Sequence, residues 1–61
     1  MIPDHKMDEI LRLTEDEGLS ACVRGRIASL LGYDAWVAIP IEARIQIRIA
    51  FKEAQNEEPD N

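Results

Sequence analysis

The chain reads as all-α: a small domain of three helices, at about residues 4–17, 20–31 and 40–55, with a short helical turn at 34–38, assembling as a dimer. Three observations predict this. Two amphipathic runs each end on a glycine, Gly18 and Gly32, the residue that most readily closes a helix. A third run opens on Pro40 and continues in good helix formers. Finally, no second segment offers itself as a strand partner for the one stretch that alternates.

That stretch, Pro40–Ala54, holds four isoleucines and the only phenylalanine, and it decides the fold. Written as a strand, Ile41, Ala43, Ile45, Ile47, Ile49 and Phe51 fall on one side and Glu42, Arg44, Gln46, Arg48 and Lys52 on the other. Written as a helix, it has two apolar stripes. One is Ile41, Ile45, Ile49; the other is Ala43, Ile47, Ala50, Phe51, Ala54. The helix is preferred: proline suits a helix start, Glu42 suits the first turn, and the run exceeds the usual strand length. One stripe then faces the chain's own core and the other wants a second molecule. A strand here would still pair with its copy, so the dimer follows from either reading.

In the first helix Met7, Ile10, Leu11 and Leu13 gather on one side, with Asp4 as the expected N-cap and Met1–Pro3 as a loose start. Ser20 is the expected cap of the second helix; Thr14 with Glu17 has capping-box spacing and offers an earlier start. Val23, Ile27, Leu30 and Leu31 form that helix's large apolar face, opposite the small residues Ala21, Cys22, Gly25, Ala28 and Ser29. Gly25 reads either as a point of close backbone approach or as a glycine tolerated on an exposed face. Asp34 is positioned to cap the short turn, and Ile39, preceding a proline, must leave the helical region. Residues 56–61, NEEPDN, read as a disordered acidic tail, leaving one domain over 1–55.

Size and charge limit function. A chain of 61 residues buries only about 60% of its extended surface, so it needs a disulfide, a metal or a partner. One cysteine cannot close an internal disulfide and no Cys/His cluster suggests zinc, which leaves oligomerisation. A net charge of −5 does not draw the chain to a phosphate backbone, so nucleic acid is possible as a partner but not favoured. No apolar run approaches a membrane span, no signal peptide is visible, and a lone thiol suits a reducing compartment, so a cytoplasmic location is expected. Short acidic chains of this kind are common among bacterial or phage regulators and inhibitors.

Candidate chemistry is sparse. His5 lacks a nucleophile and orienting group nearby in sequence and reads as a surface residue. Cys22 reads as a small buried or interfacial residue, or else as a reactive thiol. Neither an enzyme nor a cofactor is expected. The candidate dimer or partner interface is Ile41, Ile45, Ile47, Ile49, Phe51 and Trp36. Trp36, with Tyr33, is a binding anchor or the cap of a small core. Arg24, Arg26, Arg44 and Arg48 form a possible basic contact surface, or serve to neutralise nearby acids. Asp8, Glu9, Glu15, Asp16 and Glu17 are a solvated face, or imitate a phosphate row.

The text GLSACVRGRIASLLGYDAWV, Gly18 to Val37, resembles the helix-turn-helix pattern of small DNA-binding regulators through Ile27, Ala28, Leu31, Gly32 and Val37. That resemblance implies a recognition helix after Gly32. Here Pro40 limits it to about one turn, and Tyr33–Ile39 carry no Arg, Lys, Asn or Gln to read base edges. The function expected is therefore a non-enzymatic accessory or regulatory protein that acts through protein–protein binding and self-associates through its last helix. A helix-turn-helix DNA binder and an acidic nucleic-acid mimic are the alternatives.

Overall fold

The computed structural model describes residues 2–56. In order, these form α1 (Asp4–Glu17), α2 (Ala21–Leu31), a 3-10 turn (Trp36–Ala38) and α3 (Ile41–Asn56). No strand occurs among the described residues, so the alternating stretch is a helix. Of the expected acidic tail, Asn56 closes α3 and the remainder lies outside the described residues.

Each break has a local cause. The Gly18 N–H bonds the Thr14 carbonyl at 2.9 Å, and the residue takes φ 66°, ψ −143°. That conformation is nearly confined to glycine. Space is also limited, since a Cβ there would stand 3.4 Å from the Phe51 ring. Ser20 caps α2 as expected, its hydroxyl accepting from the Val23 N–H at 3.2 Å, so the earlier start at Thr14 is not used. Gly32 adopts the left-handed conformation (φ 90°, ψ 21°). Its N–H bonds the Ser29 carbonyl, and the Tyr33 N–H reaches back to Ala28 at 2.8 Å. These two bonds are the Schellman arrangement, which satisfies carbonyls a helix end would otherwise leave open.

Four expectations need correction. Asp4 is the first residue of α1 and not its cap: Pro3 holds that position without a side-chain bond, its carbonyl accepting from Met7. Asp34 does not cap the short turn, which starts at Trp36 after an extended Ala35. Pro40 stands just outside α3, its carbonyl accepting from the Arg44 N–H at 3.1 Å. Ile39 before it is extended (φ −71°, ψ 135°), as a residue preceding proline must be. Finally, the start of the chain is not loose at Ile2. The Ile2 N–H donates to Gln46 Oε1 at 3.2 Å, Gln46 Nε2 donates back to the Ile2 carbonyl at 3.4 Å, and the Ile2 side chain is buried.

The core is a single cluster of Ile2, Ile10, Val23, Ile27, Ala28, Trp36, Ile39 and Ile47. α1 packs on both α2 and α3, and the 3-10 turn packs on α2. Ala28, read as part of the small-residue face of α2, is fully buried. Thr14 is buried one turn beyond Ile10, its hydroxyl donating to the Leu11 carbonyl at 2.7 Å so that no polar group is stranded. Gly25 is exposed, and a methyl group added there would meet nothing within 4 Å among the described residues, so no described backbone of the same chain approaches it closely.

The two glycines therefore respond oppositely to alanine. Gly18→Ala is expected to destabilise by about 1–3 kcal/mol through backbone strain. Gly25→Ala is expected to stabilise by about 0.5–1 kcal/mol, because it removes glycine's excess unfolded-state freedom from a helix interior. Thermal unfolding followed by circular dichroism, at one fixed protein concentration, checks both.

Candidate functional site

α3 carries two apolar rows, and the fold uses one of them. Ile47 is fully buried, Ala43 packs against the core, and Ala50 and Phe51 are half-buried. The opposite row is left in solvent: Ile41, Ile45 and Ile49 are 62%, 49% and 53% exposed. The residues are four apart, so they form a slanting ridge along the outer surface of α3.

A groove of about 690 Å³ runs beside this ridge. Ile2, Leu31, Tyr33, Pro40, Ile45 and Ile49 supply much of its apolar wall, while Glu42 and Gln46 supply its polar part. Its shape follows from the Ile2–Gln46 amide bonds, which hold the N-terminal segment alongside α3. Ridge and groove share Ile45 and Ile49, which makes them one continuous apolar face.

The sequence-derived interface residues are thus divided. Ile41, Ile45 and Ile49 lie together on the outer face. Ile47 belongs to the chain's own core and so is withdrawn from any interface in the folded chain. Phe51 is half-buried and lies against Gly18. Trp36 is buried in the core cluster beneath the Arg48 guanidinium, whose carbon stands 5.8 Å from the ring centre, within cation–π range. Sequence reasoning missed Ile2 and the groove. The pairing that builds them joins residues 44 positions apart, and no local pattern encodes it.

The basic residues do not form one surface set. Arg44 uses its Nε to bond the Ile39 carbonyl at 3.0 Å, fastening the start of α3 to the preceding turn. Arg24 is half-buried on α2, and its Nε is buried without a hydrogen-bond partner among the described residues. It lines a second, shallower cleft with Gly25, Asp34, Trp36 and Val37. Arg26 and Arg48 are exposed. The acids Asp8, Glu9, Glu15, Asp16 and Glu17 are all exposed along α1, and His5 and Cys22 are exposed as well.

Where the helix-turn-helix pattern places a recognition helix, the chain has the three-residue 3-10 turn Trp36–Ala38. Val37, the apolar residue which that pattern directs inward, is 76% exposed. No described helix is long and apolar enough to cross a membrane. Compared with protein-family models, curated proteins and solved structures, the chain matches none.

Two truncations separate the core row from the clasp that shapes the groove. Ile47→Ala is expected to cost about 2–5 kcal/mol, the usual range for emptying a close-packed site. Gln46→Ala removes two partly buried hydrogen bonds and is expected to cost about 1–3 kcal/mol, with faster amide exchange at Ile2. Urea unfolding and hydrogen exchange measure the two effects.

Proposed function

We propose that this chain is a small non-enzymatic accessory or regulatory protein, acting in the cytoplasm through protein–protein binding, and that it self-associates as a homodimer through the outer face of α3. The observation that carries the reading is the ridge Ile41–Ile45–Ile49, aligned and about half exposed on a domain with a very small core. Three aligned isoleucines in water are costly for such a domain, and covering them against a second copy removes that cost on both chains at once. The 3-10 turn, with its exposed Val37, then remains available to a protein partner of different sequence.

The alternatives draw less support. A DNA reader needs basic and amide side chains on an inserted helix, and the turn after α2 is three residues long in a chain of net charge −5. The acidic face of α1 is a generic solvated surface.

Sedimentation equilibrium at micromolar concentration is expected to give about twice the chain mass of 6.9 kDa. Ile45→Asp is expected to shift the molecule to the monomer mass with its helical signal kept. Ile47→Asp is expected to abolish the helical signal, because it buries an unpaired charge. A wild-type monomer at these concentrations would falsify the reading. Capture from a host lysate with the wild-type chain identifies its protein partners.

A further inference from the structure

The isoleucine ridge has two borders of opposite character. At about 100° per residue, Glu42 and Gln46 follow one side of it, and Arg44, Arg48 and Lys52 follow the other. Contacts within the chain keep the borders on separate flanks. Gln46 is bonded to the Ile2 backbone, whereas Arg44 is bonded to Ile39 and Arg48 lies over Trp36. One border therefore adjoins the N-terminal segment and the other adjoins the 3-10 turn. Glu42, Arg48 and Lys52 are all exposed.

A second copy can cover the ridge through either of two symmetry axes. With the two-fold axis along the helices, the paired α3 helices run parallel, and each acidic border meets the basic border of the other copy. With the axis across the helices, they run antiparallel and like borders meet. An antiparallel pair centred on Ile45 sets Arg44 of one copy near Arg48 of the other, and symmetry repeats the clash. A parallel pair brings Glu42 level with Arg44 and Gln46 with Arg48. Each match is within two residues, about 3 Å of helical rise.

From this we infer that the homodimer is parallel, with Ile41, Ile45 and Ile49 each meeting its own counterpart across the two-fold axis and the crossed charged borders setting the orientation. The inference rests on self-association through α3, and what it adds is the partner's direction. Isoleucine against isoleucine has no directional preference of its own, so charge complementarity together with like-charge repulsion selects between the two arrangements. Parallel pairing also places both 3-10 turns, each with its exposed Val37, at the same end of the dimer.

The test uses single-cysteine variants Ile41→Cys, Ile45→Cys and Ile49→Cys in a Cys22→Ser chain, which lacks the exposed native thiol. They are oxidised in glutathione buffer at a concentration where sedimentation shows the dimer. All three are expected to give disulfide-linked homodimers, since facing positions fall within disulfide reach. An equimolar mixture of Ile41→Cys and Ile49→Cys is expected to give less mixed product than random pairing. If only Ile45→Cys links to itself and the mixture yields mainly the mixed product, the dimer is antiparallel and the inference is overturned. A dimer that links at none of the three positions overturns it too, by placing self-association elsewhere. A Cys22→Ser chain that sediments as a monomer removes the reading beneath it. As a second arm, Glu42→Lys should weaken the dimer several-fold at low salt, and combining it with Arg44→Glu should restore it. Failure of the double exchange to restore it counts against the crossed borders.

Discussion

Each helix contributes one fully buried isoleucine: Ile10 from α1, Ile27 from α2 and Ile47 from α3. Much of the structure depends on these three residues finding one another. So small a core has little redundancy, and it recruits unusual helpers. Ile2 from before the first helix and Ile39 from the extended approach to Pro40 are both buried in it. Trp36 covers it from a turn too short to pack by itself. Where larger domains fill a core from long helical faces, this one fills it partly from its connections.

Helix geometry accounts for the alternation that makes α3 ambiguous as text. Moving two residues along a helix turns the chain by about 200°, which is nearly the opposite face. The set Ile41, Ile45, Ile49 and the set Ala43, Ile47, Phe51 are each spaced by four, and they interleave at every second position. A helix that is apolar on two opposite sides therefore reads locally like a strand. The flanking residues distinguish the two, because a proline at the start and helix formers to the end leave the helix as the consistent solution.

What could be read from the sequence was local: the glycine stops, the Ser20 cap, the break before Pro40 and the doubled apolar row. What could not be read was set by contacts between distant residues. Ile2 becomes core only because Gln46 holds its backbone from the far end of the fold. Ala28 reads as part of a small-residue face and is buried because helix packing reaches it. Thr14 reads as a possible cap and is in fact an interior residue satisfied by its own helix. Asp4 and Asp34 are plausible caps that the backbone does not use. The outer face followed the same rule. The ridge was legible from spacing, but the groove beside it needed the docked N-terminal segment.

The clasp between Ile2 and Gln46 also fixes a direction of exit. Ile2 and Pro3 line the groove, so the described residues begin at the rim of the apolar face. An affinity tag or fusion partner joined at that end starts close to the α3 ridge. One attached beyond Asn56 departs from the other end of the helix. Position of attachment thus becomes a variable in its own right: two preparations of the same folded domain, labelled at opposite ends, differ in how much of that face remains open.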